Sequence, residues 1–302
     1  MDLSSSFSFH GWDIKYLLSN SRLPHSQGAP IKTIVFVHGT PWSSAVYRPI
    51  VEILLSKPAY QVLIFDLPGY GQSQNYNPQD GAISKAGFQG DTSVKFQAKA
   101  LAALLQHVKF SSPPAVVAHD IAGSIVLRTH LLERVPFASM LLLDTNTVLP
   151  WGDGFYKLVR STPEPFLQLP GPIFDAVVRA VTQSACHNPL VLQAGWEDLI
   201  VQPWIGSAEA QSSFVRQIAQ ADDGDVREML EGSVGYADVQ CDVKVMLGGQ
   251  DQWIPREKVD DLVRQLGKRA KEFVIVPEAG HLVMLDQPAR VAVEVFEWLA
   301  KY

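Results

Sequence analysis

Short runs of consecutive apolar residues recur along the chain, and several lead into stretches with apolar positions three or four apart. The strand-like runs are I-K-T-I-V-F-V (31–37), Q-V-L-I-F (61–65), P-A-V-V-A (114–118), A-S-M-L-L-L (138–143), D-V-K-V-M-L (242–247) and E-F-V-I-V (272–276). Between many of them stand helical patterns such as V-K-F-Q-A-K-A-L-A-A-L-L-Q-H-V (94–108), and the amphipathic A-R-V-A-V-E-V-F-E-W-L-A closes the chain. Continuous apolar strands alternating with helices predict an α/β fold whose mainly parallel sheet is covered on both faces. The alternation stops after residue 145. Residues 146 to about 238 are rich in helix formers, proline and aromatics, with no strand-like run, and the alternation then resumes. The expected organisation is a core in two parts, 1–145 and 239–302, with a helical cap, 146–238, inserted over the sheet.

Composition narrows the function classes. With 47% hydrophobic and 19% charged residues, the 302-residue chain can bury a large core and does not read as disordered. A net charge of -6 without a local Lys/Arg cluster argues against nucleic acid as a partner. Cys186 and Cys241 make no disulfide framework and have no metal-ligand spacing around them, so no metal is expected. The start M-D-L-S-S-S-F-S-F lacks the basic and apolar regions of a signal peptide, and apolar runs stay shorter than a membrane span. The expectation is a cytoplasmic protein away from membranes, monomeric or homodimeric. D-L-P-G-Y-G-Q-S (66–73) lacks the Lys and spacing of a phosphate loop, and no dinucleotide fingerprint is present, so no cofactor is expected.

In parallel sheets the chemistry lies beyond the carboxyl ends of the strands. Here 114–118 runs into His119-Asp120, 242–247 into G-G-Q-D-Q-W-I-P with Asp251, 272–276 into P-E-A-G-H with His281, and 31–37 into H-G-T-P-W-S-S. A tight turn from strand into helix pushes its apical side chain outward and crowds the backbone, which small residues two before and two after relieve. Ala118 and Ala122 hold those positions around Asp120, with Gly123 following. The apex is therefore a carboxylate at the start of a helix, where backbone N–H groups favour an anion. Ser124 lies further along that helix without the small-residue frame and is not the nucleophile. An aspartate after a strand is ordinarily a cap or turn residue, but three reactive groups at neighbouring strand ends point to a site.

H-G-T-P (38–41), D-L-P-G-Y-G-Q-S (66–73), A-H-D-I-A-G (118–123), G-G-Q-D-Q-W-I-P (248–255) and A-G-H-L-V-M-L-D-Q-P (279–288) stand in the order nucleophile, acid, histidine. Over nearly the whole chain this resembles the α/β-hydrolase fold superfamily. Within it, H-G-x-P with an apical Asp is similar to the epoxide hydrolase and haloalkane dehalogenase branch. The resemblance implies Asp120 as a nucleophile that forms an alkyl ester, His281 as the base that activates water, and Asp251 as the residue that orients the imidazole. It places the oxyanion hole at the N–H groups of Thr40 and Ile121, with His38 and His119 bracing the two loops. Asp144, at the end of the next strand, is an alternative acid.

The resemblance leaves the reaction open. A dehalogenase needs halide donors, but the residue after the nucleophile is Ile121 and position 40 is Thr where Asn is usual. Epoxide opening needs an acid, usually paired tyrosines from the cap, and only Tyr156 and Tyr236 lie within or near the ends of the insertion. An epoxide hydrolase-like enzyme is the leading reading. The alternatives are acid–base lyase, isomerase or cyclase chemistry, ester or lactone hydrolysis, dehalogenation, and a non-catalytic binding protein. Buried ionisable groups without a use are costly, which argues against the last. Trp42, Trp151 and Tyr156 are candidate pocket residues, and the cap aromatics imply an uncharged, apolar small molecule reacting with water. The stretches L-P-W-G-D-G and L-P-G-P are candidate hinges of the cap.

Overall fold

Eight strands form one sheet in the computed structural model, which describes residues 2–21, 31–78, 86–151, 154–193 and 195–302. They are β1 (Ser5–Phe9), β2 (Trp12–Asn20), β3 (Lys32–Val37), β4 (Tyr60–Phe65), β5 (Ala115–His119), β6 (Ser139–Leu143), β7 (Asp242–Gly248) and β8 (Ala270–Val276), in the spatial order β1-β2-β4-β3-β5-β6-β7-β8. Strands β3 to β8 are parallel and coincide with the apolar runs in the sequence. β1 and β2 are an addition that the apolar runs do not announce. They form an antiparallel pair at the sheet edge, joined to β4 with Tyr16 opposite Phe65. Both are largely half-exposed, so S-S-F-S-F and W-D-I-K-Y-L-L-S-N alternate between apolar and polar residues instead of running continuously apolar.

Helices cover both faces. α1 (Arg48–Leu55), α2 (Val94–Val108) and α3 (Ala122–Leu131) precede β6. The inserted helical region between β6 and β7 contains α4 (Gly154–Ser161), α5 (Glu164–Leu167), α6 (Gly171–Ser184), α7 (Trp196–Val201), α8 (Ala208–Ala219) and α9 (Gly224–Leu230). The chain ends with α10 (Arg256–Leu266), α11 (Val283–Asp286) and α12 (Pro288–Leu299). Successive strand residues point to opposite faces. Ile34, Phe36, Val117, Leu141 and Met246 pack with Ile50, Leu54, Val291 and Trp298 of α1 and α12. Val35, Val37, Val116, Met140 and Val245 pack with Leu101, Leu104, Ile125 and Leu262 of α2, α3 and α10. This two-sided burial is why the strands read as unbroken apolar runs.

The register aligns the carboxyl ends that matter: Val37 pairs with Ala118, His119 with Leu143, and Leu143 with Met246. The inserted region is tied down over them. Trp204 donates its indole N–H to the carbonyl of Pro41 at 2.7 Å, and within the inserted region the Tyr236 hydroxyl joins its two ends by donating to the carbonyl of Thr147 at 2.6 Å. Of the two candidate hinges, L-P-W-G-D-G includes Gly152 and Asp153, which lie outside the described residues. L-P-G-P is the start of α6, with Pro172 in its first turn, where a missing N–H is harmless.

Candidate active site

Asp120 stands between the end of β5 and the start of α3 with φ +55°, a left-handed conformation costing an L-residue roughly 1–2 kcal/mol. The surroundings hold it there. Its N–H donates to the carbonyl of Leu143 at 3.1 Å, and its own carbonyl accepts from Gly123 and Asn146, both at 3.0 Å. Neighbouring glycines make the room. A Cβ on Gly39 would come within 2.5 Å of the Asp120 Cβ, and one on Gly123 within 2.6 Å of the Thr145 Cβ.

The two carboxylate oxygens of Asp120 have different surroundings. Oδ2 accepts the Thr40 N–H at 2.8 Å, and the neighbouring Ile121 N–H lies close enough to the carboxylate to favour its charge. Oδ1 lies 3.7 Å from Nε2 of His281. On its other side His281 donates Nδ1–H to Oδ2 of Asp251 at 3.0 Å, and Oδ1 of Asp251 accepts from the N–H groups of Trp253 (2.7 Å) and Ile254 (3.1 Å). Burial raises the pKa of Asp120 above the usual carboxylate value, opposed by the nearby imidazole and the two N–H groups. Burial also acts on Asp251, but His281 and the backbone donors outweigh it and keep that carboxyl below its ordinary value. For His281, burial favours the neutral ring, and Asp251 with Asp120 overcomes this, leaving the imidazole above its ordinary value.

Asp144 does not bond the imidazole; its Oδ1 accepts the N–H of Gly248 at 2.6 Å. Burial, then the adjacent charge of Asp251, push its pKa well above the ordinary carboxylate value and so favour the protonated, neutral form. A neutral group cannot stabilise an imidazolium electrostatically. Asp251→Asn is therefore expected to lower turnover on the order of 10⁴-fold, while Asp144→Asn, which keeps shape and neutrality, stays within about tenfold. Steady-state kinetics on the two variants checks this, and the reverse ranking would reassign the acid.

His38 and His119 brace the loops. Nε2 of His38 accepts from the N–H of Leu67 at 3.0 Å, so the ring carries its proton on Nδ1, which donates to the carbonyl of Gly39 at 2.9 Å. His119 donates Nε2–H to the carbonyl of His281 at 2.8 Å. Burial lowers both pKa values, so both rings are neutral. The hydroxyl of Ser124 donates to the carbonyl of Asn146 at 2.9 Å and faces away from this chemistry.

A cavity of about 370 Å³ opens above Asp120, lined among others by Thr40, Ile121, Trp151, Tyr156, Gln217 and Trp253. Of the three candidate pocket residues, Trp151 and Tyr156 line this cavity and Trp42 does not. Trp42 is fully buried in the core cluster beside α1, and its ring packs on that of Trp253 at 5.6 Å. Trp253 lines the cavity instead, stacking on His281 at 4.7 Å. The indole N–H groups of the cavity are committed: Trp151 donates to the carbonyl of Asn146 and Trp253 to Oγ of Ser184. Tyr236 is likewise committed to Thr147, whereas the buried hydroxyl of Tyr156 has no protein partner. Burial and the charge of Asp120 hold the Tyr156 phenol well above its ordinary value, so it keeps its proton. Trp253 was within reach of sequence reasoning, two positions after Asp251. Gln217, on a helix 97 positions after Asp120, carried no motif.

The sequence matches the model of the alpha/beta hydrolase family over residues 34–295. The chain belongs to the alpha/beta hydrolase family. An alpha/beta hydrolase fold protein from Burkholderia ambifaria is similar at 30% identity and TM-score 0.83, with 98% of each chain covered. A thermophilic esterase from Thermogutta terrifontis (18% identity, TM-score 0.72, 99% of each chain) and the epoxide hydrolase CorEH (16%, 0.75, 98% of each) share the fold. Among curated proteins, the pimeloyl-[acyl-carrier protein] methyl ester esterase of Legionella pneumophila (strain Lens) is 43% identical over 47 residues. That match spans 16% of this chain and 18% of that protein. This α/β hydrolase thus shares its architecture with esterases and an epoxide hydrolase alike. Among its described residues no helix is long and apolar enough to cross a membrane, and no three His, Cys, Asp or Glu side chains are grouped to hold a metal ion.

Proposed function

We propose that this α/β hydrolase works through a covalent alkyl ester on Asp120, opening the C–O bond of an epoxide in an apolar small molecule without a cofactor. One observation carries the reading: Oδ2 of Asp120 itself accepts the N–H of Thr40, with the Ile121 N–H a second donor beside the carboxylate, while Oδ1 is left toward His281. In an enzyme with a hydroxyl nucleophile, those donors wait for the substrate's carbonyl oxygen. Here the Thr40 N–H holds the oxygen that becomes the ester carbonyl once Oδ1 has attacked carbon.

The steps follow from the geometry. Oδ1 attacks the epoxide carbon, the C–O bond breaks, and the released oxygen takes the proton of Tyr156. Water then loses a proton to Nε2 of His281 and adds to Cγ of Asp120, and the negative charge falls on Oδ2, which the Thr40 N–H already holds. Collapse expels the product oxygen, which takes the imidazolium proton. The Asp120 carboxyl then ionises, and its proton restores Tyr156. The net change is epoxide plus water to diol.

A single turnover of a terminal apolar epoxide such as styrene oxide in ¹⁸O-water tests this. The first diol should carry only light oxygen from Oδ1, and the peptide containing Asp120 should gain the heavy atom. Heavy oxygen in the first product, with an unlabelled Asp120, would point to direct attack by water.

Ester or lactone hydrolysis is the second reading, favoured by the comparisons, whose named relatives are more often esterases than epoxide hydrolases. In that chemistry His281-activated water attacks the substrate carbonyl, whose oxygen has to displace Oδ2 of Asp120 from the Thr40 N–H. The same isotope experiment with a p-nitrophenyl ester places the heavy atom in the released acid.

A further inference from the structure

We propose that the side-chain amide of Gln217 is a specificity-determining donor that holds an acceptor oxygen of the substrate next to Tyr156, and that a hydrogen-bond relay through Thr40 fixes its orientation. The proposal deepens the epoxide reading and rests on it for the identity of the leaving oxygen.

Three hydrogen-bonding groups run in series. The hydroxyl of Tyr70 lies 2.6 Å from Oγ1 of Thr40, and Oγ1 donates to Oε1 of Gln217 at 3.3 Å. All three side chains are at most 8% exposed. The order of the relay decides which way the amide faces. With Oε1 toward Thr40, Tyr70 donates to Thr40 and Thr40 donates to Gln217, so both hydroxyl protons are used. With the amide reversed, a Gln217 donor faces Thr40, the two hydroxyls have only each other as acceptors, and one buried hydroxyl proton is stranded. An unsatisfied buried donor costs about 1–3 kcal/mol, so the first arrangement holds. It leaves the amide Nε2 of Gln217 buried and without a protein partner.

The second unpartnered donor is the hydroxyl of Tyr156, on α4, while Gln217 is on α8. Both residues line the cavity that contains Asp120. Two idle donors on residues that line one cavity call for an oxygen with two lone pairs. They differ in what they can do. A phenol can surrender its proton to a developing alkoxide, whereas an amide N–H can only orient and polarise. Gln217 is thus a positioning residue and Tyr156 the acid. The pair also selects substrates. An oxygen beside the reacting carbon satisfies both donors, and a purely hydrocarbon neighbour leaves both stranded. Through Thr40, the same residue that supplies the oxyanion-hole N–H orients this donor, so the two ends of the reacting bond are held from one loop.

Binding of two neutral probes separates this role from packing. Phenylacetamide offers a carbonyl oxygen; ethylbenzene has a similar ring and no acceptor. Fluorescence of the cavity tryptophans Trp151 and Trp253 reports occupancy. Gln217→Met keeps length and loses the donor. It is expected to weaken phenylacetamide about tenfold and leave ethylbenzene unchanged. Thr40→Val keeps the backbone N–H but frees the amide to turn, and should weaken phenylacetamide by a smaller factor. In the Gln217→Met enzyme, alkylation by styrene oxide should slow about tenfold while hydrolysis of the ester once formed keeps its rate. Failure of phenylacetamide to bind the wild-type protein, equal affinity in both proteins, or parallel weakening of both probes overturns the proposal. So does a parallel loss of alkylation and hydrolysis. Gln217-dependent binding without an Asp120 ester would remove the covalent reading alone, and an ester with Gln217-independent binding would remove this inference alone.

Discussion

His281→Gln is expected to yield a protein that reacts once and stops, with one epoxide added in mass to the peptide containing Asp120. In the proposed mechanism alkylation needs the ionised carboxylate and the acid of Tyr156, neither of which requires the imidazole. Hydrolysis of the ester needs a base at the position of Nε2, and glutamine supplies none. Multiple turnover should fall on the order of 10⁶-fold. The pH dependence has a definite sign. Burial raises the pKa of Asp120 and the imidazole opposes this, so the variant's carboxyl moves further up. Because the carboxylate is the reactive form in the proposed mechanism, adduct formation in the variant should need a higher pH than in the wild type. In the wild type, the Asp120 charge helps hold His281 above its ordinary value, and alkylation removes that charge. Ester hydrolysis should therefore rise with pH through a limb below the imidazole titration of the free enzyme, because only the neutral ring accepts a proton. Stopped-flow fluorescence and titration of the free protein measure the two. A limb at or above the free value would count against the assigned order of steps.

Asp120→Asn should abolish turnover on the order of 10⁶-fold and leave the melting temperature equal or higher. The two halves of this expectation have one cause. Asparagine tolerates the left-handed conformation, keeps an oxygen for the Thr40 N–H, and has no charge to desolvate. The wild-type carboxylate stands in a place where burial disfavours its ionised form, a local instability that the proposed chemistry requires. Calorimetry and activity together test this. A variant that melts several degrees lower with activity intact would make Asp120 a structural turn residue.

How much of this was legible in the chain depends on the range of the interactions involved. β3 to β7 are legible because each is buried on both faces, which writes itself locally as an apolar run, whereas β8 is a mostly half-exposed edge strand whose F-V-I-V is apolar all the same. The β1–β2 hairpin is buried on little of its surface and leaves a weaker alternating trace. Asp120 is marked by the sterics of its own turn, in Ala118, Ala122 and Gly123, and by the bare Gly39 that a Cβ would drive into it.

What tertiary structure decided are choices between equivalent candidates. Asp144 and Asp251 end or follow adjacent strands, and both are aspartates near one histidine; only the path of the loop after β7 brings Asp251 to Nδ1 of His281 and turns Asp144 to Gly248. Trp42 and Trp253 follow different strands with similar prospects, and packing buries one behind the other. Gln217 reaches the cavity from the inserted region, and its facing is set by hydroxyls from two other loops. Periodicity and turn sterics act within a few residues and are written in the chain. The direction of a side chain at a junction of four loops is set by contacts between distant segments, and it exists only once they have packed.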